Sequence, residues 1–246
     1  MLTFHIITLF PEAIETYFRS SILGRAAKRK ILAFDLVNLR PFGIGKHRTV
    51  DDRPFGGGAG MVLMAEPICK AVESVRQKIK DKRKGKKEIP NKTKIVLFSA
   101  KGKQFNQKLA YQWANRYDHL VLIAGRYEGV DERVRKILKA EEVSIGPYVL
   151  TDGDVAAMAV ASAVGRLVPG AIRLESLAEE THWNLLLKQK AAASEGPPTG
   201  GGLEYPHYTR PETFRHKGKS YRIPAVLRTG DHKKIAEWRR TQSWRK

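Results

Sequence analysis

The stretch His47-Arg48-Thr49-Val50-Asp51-Asp52-Arg53-Pro54-Phe55-Gly56-Gly57-Gly58-Ala59-Gly60-Met61 presses acids, bases and an imidazole against a run of glycines. Glycine costs backbone entropy when a loop orders, so its return is positive φ or close approach of main chain to a ligand. The segment reads as a binding loop carrying catalytic-type side chains, with a bare surface loop as the alternative. Three further loops follow apolar runs: Ser99-Ala100-Lys101-Gly102, Gly125-Arg126-Tyr127-Glu128-Gly129-Val130-Asp131-Glu132-Arg133, and Ser144-Ile145-Gly146-Pro147-Tyr148-Val149-Leu150. In an open α/β sheet, loops at the strand C-termini converge on the ligand crevice, so a compact cofactor held by main-chain groups is expected here. Glu128 could accept hydroxyl hydrogens from a ribose, or lie on the surface as a solvated acid.

Other chemistries lack their residues. No Gly-x-Gly-x-x-Gly follows the first strand candidate, and no Gly-x-x-x-x-Gly-Lys-Ser/Thr loop is present, so neither dinucleotide nor phosphate-loop binding is supported. The seven histidines form no His-Glu-x-x-His, and one cysteine cannot build a zinc cluster. Asp51-Asp52, or Asp152 with Asp154, could hold a hard cation. Acids among so many bases more often serve as ion-pair or hydrogen-bond partners, and no metal is expected.

The run Glu204-Tyr205-Pro206-His207-Tyr208-Thr209-Arg210-Pro211 restricts its backbone with two prolines and leaves rings available for stacking. Mixed with Arg215, Lys217, Lys219, Arg222 and Arg228, these rings suit contact with single-stranded or looped RNA. A Pro-rich brace across a subunit surface is the alternative.

The elements that must position these residues are alternating strands and helices. Phe4 to Leu9 reads as a strand, Ala13 to Lys30 as a helix, and Leu32 to Leu39 as a second strand, which opens an α/β layer. Pro67 can open a helix with the stripe Ile68, Ala71, Val72, Val75, Ile79, running into the basic Lys80 to Lys87. That basic run reads as an exposed loop, touching phosphate or merely solvated. Ile95 to Phe98, Leu120 to Ala124 and Val143 to Leu150 are strand-like, the last interrupted by Gly146-Pro147. Gln107 to Tyr117 and the small-residue run Ala156 to Val168 are helical, the latter suited to a tight contact inside the fold or across a dimer. Lys188 to Gly202 has linker composition. The roughly forty residues after it are marginal for an independent core and are expected to lean on the main domain or a second subunit.

At 246 residues the chain can bury a sizeable core. Forty-five Lys and Arg against 25 Asp and Glu leave a formal charge of +20, which points to a polyanionic partner. Nucleic acid is favoured over a membrane surface because no long apolar span or lipid-anchoring segment is evident. The single Cys69 fits a reducing compartment and reads as a small buried hydrophobe. Without a basic leader and cleavable apolar segment, the N-terminus reads as a first strand and the cytoplasm is the expected location.

Taken together, Phe10-Pro11-Glu12, His47 to Met61, Gly125 to Arg133, Tyr205 to Pro211 and the Ile235 to Trp238-Arg239 tail occur in the order found in the bacterial tRNA (guanine-N1)-methyltransferases, and the chain resembles that family over nearly its whole length. The resemblance implies an α/β fold of the SPOUT superfamily: a parallel sheet with a deep C-terminal trefoil knot, plus a small, mainly helical C-terminal domain. It implies a knotted methyltransferase domain over 1–172, a linker over 173–203 and a shortened basic tRNA-binding domain over 204–246. Relatives usually continue beyond the point matching Lys246 with another helix. A homodimer with active sites at the subunit interface is implied as well.

The implied reaction moves a methyl group from S-adenosylmethionine to N1 of the guanine immediately after the anticodon, position 37 of tRNA. Related RNA methyltransferases with another target, and a catalytically silent RNA binder, are the alternatives. By resemblance the cofactor contacts Ser99, Ala100, Gly102, Gly125, Arg126, Tyr127, Glu128, Gly129, Ser144, Ile145, Gly146, Tyr148 and Leu150. Substrate contacts are implied for Asp51, Arg53, Gly57, Gly58, His207, Tyr208 and Arg210. Arg166, in Gly165-Arg166-Leu167-Val168-Pro169-Gly170, matches the family arginine near methyl transfer. In Ser176-Leu177-Ala178-Glu179-Glu180-Thr181-His182, Glu180 stands at the place of the family's aspartate general base, with Glu179 as the alternative. Further departures are Ala59 and Ala100 where proline is common, Thr151-Asp152-Gly153-Asp154 in place of a glycine-rich acidic turn, and the insertion over 188–202.

Overall fold

Seven consecutive buried residues, Leu2–Thr8, form β1, an interior strand of a parallel sheet. An uninterrupted buried run of this kind requires cover on both faces. The computed structural model describes residues 1–81, 92–173 and 205–242. β1 pairs on one side with β2 (Leu32–Asn38) and on the other with β6 (His119–Ile123), in registers Phe4↔Phe34 and Phe4↔Leu120. β5 (Thr93–Gln104) lies beside β6, and β7 (Glu141–Ser144) beside β5, so the strand order is β2-β1-β6-β5-β7. One face packs α3 (Ala65–Asp81) and α5 (Glu132–Leu138) over Ile7, Val37, Val121 and Ile123. On the other, Phe18 of α1 (Pro11–Arg19) stacks on Phe34, with centroids 4.5 Å apart, and Phe34 on Phe4 at 5.3 Å. The same side carries α2 (Ser21–Lys28), α4 (Gln107–Arg116) and α6 (Asp154–Gly165).

The single helix expected from Ala13 to Lys30 is two. Ser20 is extended, Ser21 takes φ +49, and the Ser20 hydroxyl donates to the Thr16 carbonyl at 2.6 Å, ending α1 before α2 begins. β5 is longer than its apolar run because Phe98 and Lys103 both lie opposite Val143, so residues 99–102 loop out of a strand that then resumes. Gly102 makes that possible: a Cβ there would sit 2.5 Å from the Val143 nitrogen. β7 stops at Ser144, where the hydroxyl donates to the Gly146 carbonyl at 2.8 Å. The glycine-rich loop lies between two short antiparallel strands, β3 (Asp51–Asp52) and β4 (Val62–Leu63). α5 escaped the periodicity reading because it is short, though Asp131 caps it by accepting from the Arg133 N–H at 2.9 Å.

The chain divides into two compact units, Met1–Ile172 and Arg173–Lys246. Among its described residues the second unit holds β8 (Thr213–His216), β9 (Lys219–Arg222), a 3-10 turn over Ala225–Arg228 and α7 (His232–Gln242). The hairpin β8–β9 adds strand to a unit expected to be mainly helical. Its turn residues Lys217 and Gly218 take φ +47 and +74, the positive values that a two-residue type I′ turn demands. No described helix is long and apolar enough to cross a membrane.

Candidate active site

The outward loop of β5 at 99–102 and the loops that follow the C-terminal ends of β6 and β7 surround a cleft of about 460 Å³. The ends of parallel strands are where an open α/β sheet leaves room, because its helices cover only the faces. Ser99, Ala100, Gly125, Arg126, Tyr127, Glu128, Gly129, Ser144, Ile145, Tyr148 and Leu150 line the cleft. Gly102 and Gly146 do not line it; they shape it from behind. A Cβ on Gly102 would strike β7, and one on Gly146 would strike the Tyr148 ring.

Two of the walls touch main chain to main chain. Gly153 N–H donates to the Gly125 carbonyl at 2.7 Å, and a Cβ on Gly153 would lie 2.6 Å from the Gly125 nitrogen and 2.8 Å from the Ala124 Cα. Beside this contact Arg126 reaches Asp154 at 2.7 Å and Asp152 at 3.5 Å, with its guanidinium 4.5 Å above the Phe10 ring. Asp152 also accepts from the Asp154 and Val155 N–H groups at 2.9 and 3.3 Å and so caps α6. Asp152 and Asp154 thus both make the ion-pair contacts that the excess of bases suggests. Sequence reading missed Asp152 and Gly153 as part of the cleft; the departure at Thr151-Asp152-Gly153-Asp154 was their only signal.

The charge of the cleft opposes that of the chain. Glu128, Glu132, Glu142 and Asp152 line it against Lys101 and Arg126, while the whole sequence carries +20. Lys101 stands 3.7 Å from Glu132 and 3.6 Å from Glu142, tying the 99–102 loop to α5 and β7. The Arg135 hydrogen bond to Glu132 holds that carboxyl below its ordinary value, and the Arg133 hydrogen bond does the same for Asp131. Both therefore stay ionised at neutral pH. A positively charged ligand of this size would meet complementary charge.

Asp51, Arg53, Gly57 and Gly58 lie outside the cleft lining. The loop that carries them is nevertheless anchored to it: Glu128 N–H donates to the Met61 carbonyl at 3.0 Å, Leu63 bridges Val130, and a Cβ on Gly60 would strike the Glu128 carboxylate. Gly56, Gly57, Gly58 and Gly60 all take positive φ, the conformation the sequence pattern anticipates. Phe55 at its tip is fully exposed. Arg166 caps the opposite end of α6 from Asp154. Twelve helical residues separate the two ends, about 18 Å along the axis. The cleft lining accordingly holds the start of α6 and not Arg166. Glu179 and Glu180 lie outside the described residues, as do most of the basic run after Lys80 and the 188–202 insertion.

His207, Tyr208 and Arg210 are exposed in the second unit. Tyr205 lies 4.7 Å from the His207 ring and 4.7 Å beneath the Arg239 guanidinium, and Tyr208 sits 6.2 Å from Trp238. The hairpin sorts its side chains by face. Phe214, His216, Lys219 and Tyr221 share one, with the Phe214 and His216 rings 13° from parallel; Arg215 and Arg222 share the other.

The model of the family described as tRNA (Guanine-1)-methyltransferase TrmD matches residues 2–246. Three relatives carry the name tRNA (guanine-N(1)-)-methyltransferase. The protein from Carboxydothermus hydrogenoformans is 42% identical over 238 residues, 97% of this chain and 81% of the relative. That from Thermomicrobium roseum is 46% identical over 237 residues, covering 96% and 77%, and that from Dehalococcoides mccartyi strain 195 is 41% identical over 242 residues, covering 98% and 85%. With a family match from the first strand to the last residue, and relatives aligned over nearly all of it, the chain belongs to the tRNA (guanine-1)-methyltransferase family.

Proposed function

We propose that the chain transfers the methyl group of S-adenosylmethionine to N1 of the guanine that follows the anticodon, position 37 of tRNA. The observation that carries the donor assignment is the acidic cleft in a strongly basic protein, since this donor carries a sulfonium and an ammonium. Glycines at 125 and 153 suit it too, because without side chains there an adenosine can approach the main chain of the wall. The donor, when bound, supplies an electrophilic methyl on sulfur. Glu180 takes the N1 proton of guanine as the new N–C bond forms, since the neutral ring nitrogen is a poor nucleophile. Arg166 faces the negative charge that gathers on O6.

The distance of Arg166 from the cleft along α6 supports a homodimer in which it serves the partner's site. So does the apolar rim: Tyr127, Tyr148, Val149 and Val155 are exposed around one cleft, with Val149 at 86%. The contact of the 145–153 segment with Gly125 supports the trefoil-knotted threading expected of SPOUT enzymes. For tRNA, the second unit offers three rings beside Lys219 on one face of a hairpin and two arginines on the other, suited to unpaired bases and phosphates. A tRNA-modifying enzyme of this kind fits the cytoplasm.

Labelled donor, the full chain and unmodified tRNA bearing guanine after the anticodon, followed by nucleoside analysis, test the reading. N1-methylguanosine at that position is expected. Donor binding with no methylated nucleoside would refute methyl transfer in favour of a silent RNA binder, and a methyl elsewhere would refute the target.

A further inference from the structure

We propose that Arg126 and Asp154 are a positioning pair that fixes the separation of two walls of the cleft, setting its shape before the donor arrives. Arg126 stands in the wall after β6, and Asp154 opens α6 immediately behind the wall after β7. They meet at 2.7 Å, with the Asp154 side chain 4% exposed and that of Arg126 23%. Phe10 closes the guanidinium from a third direction at 4.5 Å, and Asp152, which lines the cleft, stands 3.5 Å from the same nitrogen. The charges on Arg126 therefore face Asp154, Asp152 and an aromatic ring.

The pair is not built for stability alone. Among the described residues, Arg126 Nε and Asp154 Oδ1 are buried without a hydrogen-bond partner. A buried ion pair gains over an apolar pair of the same volume only when its remaining donors and acceptors are satisfied, and here each partner leaves one unmet. What this contact supplies and an apolar contact lacks is a directional, charge-assisted N–H···O bond, from Arg126 Nη2 to Asp154 Oδ2, between the chain segments that carry the two groups. These segments are the ones joined by the Gly125–Gly153 main-chain hydrogen bond. Arg126 was expected to contact the cofactor; on this reading its guanidinium acts through Asp154, and its role is geometric.

The inference rests on the cleft being the donor site, and calorimetric titration of S-adenosylmethionine onto the full chain separates the two. Failure of the wild type to bind the donor would overturn the site reading and this proposal with it. With wild-type binding in place, Asp154→Asn is expected to weaken donor affinity about tenfold while changing tRNA affinity less than twofold. Arg126→Lys, which keeps the charge and loses the Nη2 donor that reaches Asp154, is expected to behave likewise. The double variant Arg126→Leu/Asp154→Leu should recover or exceed wild-type melting temperature yet remain about tenfold weaker for the donor. If Asp154→Asn does not fold, the double variant carries the test. Donor affinity within twofold of wild type in a folded variant, or full recovery of affinity in the double variant, would overturn the proposal and leave the pair as structural glue.

Discussion

Replacing Gly153 by alanine probes the cleft through sterics alone. The residue sits at φ −82 and ψ −6, which alanine adopts freely, so no backbone strain enters. The new methyl would lie 2.6 Å from the Gly125 nitrogen, where ordinary contact begins at 3.4 Å, so the walls must part by about 0.8 Å or the helix start must tilt. The atoms in the way are main chain at the end of β6, whose strand is buried on both sides, and cannot swing aside as a side-chain tip would. Overpacking of this kind costs about 1–3 kcal/mol. Taking about 2 kcal/mol, a unit of this size loses roughly 4–8 °C in melting temperature. Parting the walls also breaks the Gly153–Gly125 hydrogen bond and should raise the donor dissociation constant about tenfold. Differential scanning calorimetry and donor titration read the two effects. Gly45→Ala is the control: nothing lies within 4 Å of its methyl but φ is +67, so it should cost about 1 kcal/mol from the backbone and leave donor affinity alone. Gly153→Ala with wild-type melting and affinity within twofold would refute the wall contact.

Three other outcomes are expected. Glu180→Gln should lower methyl transfer by at least about a hundredfold with tRNA binding retained; an active Glu180→Gln beside a dead Glu179→Gln would move the base by one residue. Exchanging Phe214 and Tyr221 for serine should weaken tRNA binding about tenfold with an unchanged salt slope, whereas Arg215→Gln with Arg222→Gln should flatten the slope by about 2; filter binding across a salt series distinguishes them. The His5 hydrogen bond at 2.9 Å is the largest cause holding the Asp35 carboxyl below its ordinary 3.8. Its stabilisation is therefore complete above pH 3.8 and fades as pH falls through the lower native value. Asp35→Asn should melt about 2–4 °C below wild type at pH 7, for one hydrogen bond of about 1 kcal/mol, and the gap should close in strong acid.

What the sequence made legible follows from how local each cause is. The run at β1 and the stripe on α3 are read off because burial repeats along one element. The break at Ser20–Ser21 turns on two dihedrals that no hydrophobic period records, and the outward loop at 99–102 exists only because β7 lies alongside. Arg126 and Asp154 are 28 residues apart, joined by threading rather than spacing. The hairpin turn was hidden because Lys217-Gly218 lacks the Asn-Gly or Asp-Gly signature that usually announces such turns. The glycines between β3 and β4 were legible for the opposite reason: their conformation is demanded locally, whatever packs around them.

The place of β1 between two strands has a consequence for how the chain is made. Its first neighbour, β2, is complete by Asn38, but its second, β6, begins at His119. At about 5–20 residues per second, a nascent chain on the ribosome spends roughly 4–16 s with one edge of an oily strand still open. During synthesis, that edge is where a chaperone would find purchase, or where two growing copies would stick.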